Sequence, residues 1–260
     1  MATATTTKSR IEVEFQPPVA RISLNHPPVN VIDVRMMEEL GAALGQVEND
    51  PEISCVVFSG SGKCFSAGVD IAAHTQESIR EMLAKFHAVI HAIVNSHKVF
   101  IASVRGNCLG GGAEIAAVCD MAFTAENAIW GFPEIKLGCY PPVAATVLSS
   151  VIGQKRASDL ILTGRSINGR EAAEIGLANR AVADSELAAV TQETIDRLAA
   201  LSPAALGLTK KAIYVWDAVH FHKGLAHAES IYLDELMQTE DAQEGISAFL
   251  EKRAPVWKGK

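Results

Sequence analysis

Over the first 200 residues, short strand-like runs alternate with amphipathic helical runs. The strand-like runs are rich in β-branched and aromatic residues, and the helical runs carry apolar residues at every third or fourth position. Strands are predicted at 11–16, 19–25, 53–60, 98–106 and 120–126, and helices at 34–50 and 78–96. This alternation predicts an α/β fold in which loops at strand ends hold the chemistry.

The strand signal stops near residue 200. Only helical patterns remain beyond it, and Ser202 followed by Pro203 is typical of a helix start. The chain is therefore predicted to have a polar, disordered leader at 1–10, a core at 11–199 and a helical region at 200–260. We expect the helical region to pack on the core or on a neighbouring subunit.

Composition narrows the function classes. A net charge of -7 argues against a nucleic-acid groove or an anionic membrane surface as the main partner. No run of about 18 apolar residues occurs, so no membrane span is predicted. Five cysteines without a CxxC pair, and a leader without the apolar core of a signal peptide, favour reduced thiols and a cytoplasmic location. The scattered histidines predict no metal site.

Three glycines at 110–112 precede a short helical run that carries Glu114 near its start. Amides at a helix N-terminus are unpaired donors at the positive end of the dipole, and glycine lets a ligand oxygen approach them closely. Such a site suits a carbonyl oxygen that becomes negative during reaction. Taken alone, these residues favour a structural interpretation, in which the glycines permit tight strand-to-helix packing and Glu114 complements the dipole.

A second loop, at 131–138, places Glu134 directly after Pro133. Proline fixes the local backbone and can aim the carboxylate inward, although Pro-Glu is also an ordinary helix start. Two carboxylates beside one oxyanion site are more informative, because one can activate water while the other supplies a proton.

A third loop, CFSAGVDI at 64–71, follows a predicted strand and also contains a glycine. Other motifs are excluded. The stretch SGSGKC at 59–64 lacks the first glycine of a phosphate-binding P-loop and has Cys64 where serine or threonine would contact magnesium. The chain also lacks a G-x-S-x-G nucleophile elbow and a dinucleotide-binding fingerprint.

Together these pieces resemble the crotonase, or enoyl-CoA hydratase/isomerase, superfamily. The resemblance covers nearly the whole chain. It is carried by LNHPPVNVID, CFSAGVDI, VRGNCLGGGAEIAAVCDMAFTAENAIWGFPEIKLG, LTGRSINGREAAEIGLANRAV and DAQEGISAFLEKR, in this order.

The resemblance implies a spiral of ββα units with C-terminal helices that trimerise the core, commonly as a dimer of trimers. It implies an acyl-CoA thioester as substrate, with no further cofactor, and an oxyanion hole formed by the amides of Val69 and Gly111. In hydratases of this family the glutamate matching Glu114 activates water, and the one matching Glu134 donates a proton. Further substrate contacts are implied at Ala67, Gly68, Asp70, Ile71, His74, Gly110 and Tyr140.

The amino-acid sequence departs from the common hydratase pattern at three places. Ala72 replaces a frequent lysine, the early asparagine-alanine-leucine is NVID at 30–33, and the glycine-rich loop after the second glutamate is CYPPVAA at 139–145. With His74 and YLDELM at 232–237, these departures resemble the cyclohexa-1,5-diene-1-carbonyl-CoA hydratases of the benzoyl-CoA pathway.

Three alternatives stay open at this point. A hydratase for linear or branched enoyl-CoA would have most of the same sequence motifs. An isomerase that shuttles a proton with one glutamate would have them too. A non-catalytic acyl-CoA-binding protein ranks below both, because both carboxylates and both glycine loops are present. For Tyr140 and His74, a packed aromatic ring and a solvated loop histidine are as compatible with the sequence as pocket walls.

Overall fold

The computed structural model describes residues 8–75 and 77–260 and, among these, all side chains except those of 215–219. Residues 1–7 of the predicted leader lie outside the described residues. At its end, the Ser9 hydroxyl and the Arg10 amide donate to the Glu39 carboxylate at 2.6 and 2.7 Å. The last residues of the predicted leader therefore lie against the first helix.

Two sheets organise the core. The strands are β1 Ile11–Gln16, β2 Val19–Leu24, β3 Cys55–Gly60, β4 Val99–Val104, β5 Asn107–Leu109, β6 Met121–Ala125, β7 Ile129–Gly131, β8 Ser166–Asn168 and β9 Arg180–Val182. The larger sheet has the order β1-β2-β3-β4-β6-β9 and is parallel except for the β1–β2 hairpin. The smaller sheet has the order β5-β7-β8. All five predicted strands are confirmed within two residues of their bounds.

Helices cover the sheets and make up the C-terminal region. They are α1 Val34–Asn49, α2 Ile79–Val94, α3 Gly111–Val118, α4 Pro142–Ile152, α5 Gln154–Thr163, α6 Gly169–Glu174, α7 Leu187–Ala199, α8 Pro203–Ser230 and α9 Glu240–Leu250. Helices α1 and α2 pack against each other, and each buries one apolar stripe in the core. A π-helical turn, Ile231–Glu235, and a 3₁₀ turn, Leu236–Gln238, join α8 to α9.

The smaller sheet explains why three loops distant in sequence meet. Strands β5 and β7 are parallel, and Leu109 pairs with Gly131 at their ends. The loops that follow them, which carry Gly110 and Glu134, therefore leave from adjacent strand ends. The 64–71 loop joins the same edge, because Ser66 bridges to Cys108 of β5.

Candidate active site

The two predicted glycine loops are in direct contact. Gly68 and Gly110 have φ angles of +102° and +50°, which disfavour residues with a side chain. A Cβ on Gly68 would lie 3.0 Å from the carbonyl oxygen of Leu109 and 3.6 Å from the nitrogen of Gly111. Both the backbone angle and the close approach therefore require glycine at position 68.

The amides of Val69 and Gly111 lie at this contact. Val69 and Ile32 form an isolated parallel β-bridge. In this bridge the Ile32 amide donates to the carbonyl of Gly68, and the Asp70 amide donates to the carbonyl of Ile32. The N–H of Val69 itself therefore points away from Ile32. Gly111 begins α3, so its amide has no acceptor within the helix. A Cβ on Gly111 would lie 2.5 Å from Cγ2 of Val69, which places the two residues side by side.

Glu114 lies in the first turn of α3 and is only 3% exposed. Its Oε1 accepts a 2.9 Å hydrogen bond from the amide of Ala144, at the start of α4. The amide of Val143 also donates to this carboxylate. Burial raises the pKa of Glu114 to about 7, against the lowering effect of the two amides.

Glu134 approaches the glycine loop from the other side. Pro133 begins a 3₁₀ helix, Pro133–Leu137, and the Glu134 carboxylate reaches back so that Oε1 is 2.6 Å from the place where Gly110 would carry a Cβ. Its Oε2 is buried and has no hydrogen-bond partner among the described residues. Burial, and then the nearby Glu114, raise the pKa of Glu134 to about 8.

The two carboxylates thus differ in how well the protein stabilises their charge. Two backbone N–H groups donate to the Glu114 carboxylate, whereas the Glu134 carboxylate is stabilised only by its own amide and its Oε2 receives no donor from the described residues. Because donors favour the ionised form, Glu114 gives up its proton first and Glu134 keeps its own to higher pH. The pair titrates as a coupled unit.

One short segment, Gly138 to Ala144, contacts both glutamates, the backbone of Glu134 and the carboxylate of Glu114. At its start the amide of Cys139 donates to the carbonyl of Glu134 at 3.1 Å, and at its end Ala144 binds Glu114. Helix α9 fixes the beginning of the segment, because a Cβ on Gly245 would lie 2.2 Å from the carbonyl oxygen of Leu137. The C-terminal region therefore contributes to holding Glu134 in place.

The other predicted contact residues lie around the same edge. Ala67 donates its amide to Val29, and Ile71 begins the 3₁₀ turn that Asp70 caps through the amide of Ala72. His74 ends that turn, with its Nδ1 3.1 Å from the carbonyl oxygen of Asp70. Burial lowers the pKa of His74, which favours the neutral ring.

Tyr140 was predicted as a possible wall of the substrate pocket, but its side chain is held by the C-terminal region. Its hydroxyl donates to the carbonyl of Ala228 on α8, and its ring packs edge-on against Tyr232 with the centroids 5.3 Å apart. The hydroxyl is therefore engaged by the C-terminal region rather than by the glycine loops.

Sequence reasoning missed several residues of this site. Phe86 of α2 lies 3.1 Å from the Cβ position of Gly111, and Tyr232 is fully buried beside Cys139. The amides of Val143 and Ala144 were also missed. The departure at 139–145 was the available signal for Cys139 and for these amides, whereas Phe86 follows an ordinary helical apolar pattern.

An apolar cavity of about 760 Å³ lies between α3, α4 and α8. Tyr140, Ala228, Ile231 and Phe221 line it, and neither glutamate does. Within 8–75 and 77–260, no helix is long and apolar enough to cross a membrane, and no group of three or more potential metal ligands occurs. The cavity is thus distinct from the carboxylate site, although Tyr140 borders it.

Comparison with known proteins identifies the family. The family model described as enoyl-CoA hydratase/isomerase matches residues 14–260. A cyclohexa-1,5-dienecarbonyl-CoA hydratase from Thauera aromatica is 34% identical over 251 residues, covering 96% of this chain and 97% of the relative. A short-chain-enoyl-CoA hydratase from Clostridium acetobutylicum is 34% identical over 252 residues, covering 94% and 96%.

Solved structures agree with the sequence relatives. An enoyl-CoA hydratase from Mycobacterium avium subsp. paratuberculosis superposes with a TM-score of 0.87 at 25% identity, covering 96% of this chain and 98% of that one. The predicted crotonase-like α/β fold is therefore confirmed. The chain belongs to the enoyl-CoA hydratase/isomerase family.

Proposed function

We propose that this enzyme adds water reversibly to the conjugated double bond of an enoyl- or dienoyl-CoA thioester. The observation that carries the proposal is the pair of buried carboxylates, Glu114 and Glu134, that flank a glycine-lined backbone site and differ in hydrogen bonding. General acid–base addition of water needs one ionised and one protonated group, and this pair supplies both near neutral pH.

In the proposed mechanism the thioester oxygen accepts hydrogen bonds from the amides of Val69 and Gly111. These donors stabilise the enolate-like charge that develops when water attacks the β-carbon. Glu114, the carboxylate that ionises first, takes a proton from the attacking water. Glu134, which stays protonated to higher pH, delivers its proton to the substrate carbon.

For the substrate we propose cyclohexa-1,5-diene-1-carbonyl-CoA, which would give 6-hydroxycyclohex-1-ene-1-carbonyl-CoA. Support comes from the Thauera aromatica relative and from the departures NVID at 30–33 and CYPPVAA at 139–145. The linear-chain alternative keeps specific support of its own, because the Clostridium acetobutylicum short-chain hydratase is equally identical at 34%.

The remaining substrate contacts are proposed around the same edge of the fold. Backbone or side-chain contacts are assigned to Ala67, Gly68, Asp70, Ile71, His74 and Gly110. Their support is the joint position of the 64–71 loop and β5. Tyr140 is proposed to act from the rear of the pocket, since its hydroxyl is bound by α8.

The oligomer is proposed to be a trimer or a dimer of trimers in the cytoplasm, with coenzyme A present only as part of the substrate. Support for association is the apolar surface of the helical region. Leu208 and Ile213 of α8 are each 66% exposed. Sedimentation of the purified protein measures the assembly directly.

The substrate proposal is tested by comparing turnover of crotonyl-CoA, a branched enoyl-CoA and the cyclic dienoyl-CoA. We expect the highest kcat/KM for the cyclic diene. A clear preference for crotonyl-CoA would reject the cyclic substrate but keep the hydratase. Binding of acyl-CoA without hydration of any of the three would instead support a non-catalytic protein.

The choice between hydratase and isomerase is tested with Glu114→Gln. A hydratase that relies on Glu114 to activate water loses hydration by about 10²–10⁴-fold. An isomerase that uses only Glu134 keeps near-full proton shuttling, measured by exchange of substrate hydrogens with deuterated water. Near-full hydration by the variant would contradict the role assigned to Glu114.

A further inference from the structure

A pair of tyrosines, Tyr140 and Tyr232, stands between the buried glutamates and the 760 Å³ apolar cavity. Tyr140 lines the cavity, whereas Tyr232 is 2% exposed and lies on the carboxylate side, beside Cys139. The rings meet edge to face at 72°, an arrangement that aromatic pairs prefer. The pair therefore forms a continuous wall two rings thick.

The hydroxyl of Tyr140 enters the backbone hydrogen-bond ladder of α8. It donates to the carbonyl of Ala228 and accepts from the amide of Tyr232. Ala228 and Tyr232 are the two residues, four apart, whose backbone groups would pair in a regular α-helix. A side chain inserted at such a point distorts the helix, and here the π-helical turn Ile231–Glu235 begins directly after Ser230.

The π-helical turn decides where Tyr232 points. Single π-turns within helices are frequent at functional sites, because the extra residue per turn re-aims the side chains. Here the phenol faces the Cys139 thiol and feels the charges of Glu134 and Glu114. Burial, and then these groups, hold the pKa of Tyr232 well above its usual value, so the wall presents a neutral hydroxyl.

We propose that Tyr232 sets the size limit of the acyl pocket and that Tyr140 positions it through the hydroxyl inserted into α8. The inference rests on the proposed function, since it assumes an acyl-CoA thioester between the two glutamates. The glutamates must reach carbons next to the thioester, so the remaining acyl atoms extend past them. Tyr232 is a buried side chain that lies beside Cys139 and packs on Tyr140, close enough to both carboxylates for their charges to act on its phenol, and the proposal places it in that direction.

The wall selects compact acyl groups, either short chains or a single ring. The Tyr232 ring is held in place because it packs on Tyr140, whose hydroxyl is bound to Ala228. Removing the Tyr232 ring leaves space for further methylenes beside Tyr140, which then alone separates the acyl pocket from the apolar cavity. Tyr232 is thus a specificity-determining residue, and Tyr140 is a positioning residue that acts through it.

The test measures kcat/KM for crotonyl-CoA, octenoyl-CoA and decenoyl-CoA with the wild-type protein and four variants. Tyr232→Ala is expected to raise the decenoyl-to-crotonyl ratio by about tenfold or more, the range that extra methylenes gain in an apolar pocket. Tyr232→Leu covers the case in which the alanine variant does not fold. Tyr232→Phe, the matched control, keeps the ring and therefore the wild-type ratio.

Tyr140→Phe removes only the hydroxyl from the ladder of α8 and is expected to shift the ratio in the same direction as Tyr232→Ala, by a smaller factor. A merely structural effect of either tyrosine would lower kcat/KM equally for all chain lengths. Such an equal loss in Tyr232→Ala and Tyr232→Leu would overturn the proposal.

Failure of the proposed function is separable from failure of this inference. Wild-type protein that hydrates neither these three thioesters nor the cyclic dienoyl-CoA would reject the function. The wall is then tested by calorimetric Kd values for the saturated thioesters butyryl-CoA and decanoyl-CoA. Their ratio must change in Tyr232→Ala if the wall exists, and an unchanged ratio would reject it.

Discussion

Two pairs of buried ionisable groups in this protein have opposite hydrogen-bonding states. Lys210 of α8 is 6% exposed, and its ammonium group donates to Asp120 at 2.9 Å and to the carbonyls of Ile93 and Lys98 at 3.2 and 2.9 Å. These three contacts use all three donors of the group. By contrast, Glu134 keeps an oxygen that has no partner among the described residues.

The difference in hydrogen bonding distinguishes a buried pair that stabilises the fold from a buried pair that is available to a substrate. A buried charge whose hydrogen-bonding capacity is filled by the protein holds elements together, and here it ties α8 to the ends of α2 and the start of β4. A buried carboxyl group with an oxygen that has no protein donor can still hydrogen-bond to a bound substrate or water. Burial alone therefore does not distinguish these two pairs, whereas their hydrogen-bonding capacity does.

The largest expected effect is on rate. Glu134→Gln removes the transferable proton while keeping the shape, so hydration should fall by about 10²–10⁴-fold. Steady-state kinetics measure this change, and the Kd of a saturated acyl-CoA should stay near the wild-type value. Glu52→Gln, at an exposed carboxylate, is the matched control. Substantial hydration by Glu134→Gln would place the proton donor elsewhere.

The next largest effect is on stability. Lys210→Met leaves the largely buried Asp120 without its cation and with only the Phe100 amide as a donor among the described residues, which should lower the free energy of unfolding by about 2–4 kcal/mol. Denaturant unfolding measures this loss. Lys211→Met, at the exposed neighbouring position, should change stability by less than about 0.5 kcal/mol. Equal stability of the two variants would remove the structural role of the Lys210–Asp120 pair.

The charges of the glutamate pair should lower the stability of the fold, in contrast to the stabilising Lys210–Asp120 pair. The pKa values of the two glutamates, about 7 and about 8, lie above the ordinary 4.5, so between pH 4.5 and 8 the folded protein binds more protons than the unfolded chain. The free energy of unfolding therefore falls as pH rises through this window.

Neutralising the pair should remove that loss. The double variant Glu114→Gln, Glu134→Gln should be more stable than wild type at pH 8, by on the order of 1–3 kcal/mol, with little difference at pH 5. Thermal unfolding at the two pH values measures this. A double variant that is less stable at pH 8 would mean that the pair is structural, like Lys210–Asp120.

The smallest expected effect is a shift in the pH–rate profile. The proposed mechanism requires ionised Glu114 and protonated Glu134, so kcat/KM should be bell-shaped, with apparent pKa values of the pair near 7 and 8. In the residual activity of Glu114→Gln, the alkaline limb should move to lower pH, because the neighbouring charge no longer raises the pKa of Glu134. An unmoved limb would indicate that the two groups do not interact.

Much of this arrangement follows from the sequence. The periodicity of α1 and α2, the runs of β1 to β4 and β6, and the glycine and glutamate loops are local patterns. Three-residue strands such as β8 and β9 were not predicted, because so short a segment has no periodicity of its own and exists through its partners.

Contacts between residues that are distant in sequence could not be predicted from the sequence either. Gly245 sits within a helix for a reason visible only in space, namely the carbonyl of Leu137 lying against it. Likewise the role of Tyr140 depends on Ala228, 88 residues away in sequence. Position in sequence predicts which loops carry chemistry but not which distant backbone groups hold their side chains.

The segment from Gly138 to Ala144 has a consequence for how such an enzyme diversifies. Because one end of the segment binds the Glu114 carboxylate and the other binds the backbone carbonyl of Glu134, a mutation here that reshapes the pocket is expected to perturb both proposed catalytic groups. Adaptation to a new acyl group through this segment must therefore pass through variants of poor turnover. The π-helical turn after α8 offers a separate mutational route, since Tyr232, the proposed wall of the same pocket, hydrogen-bonds neither glutamate within the described contacts.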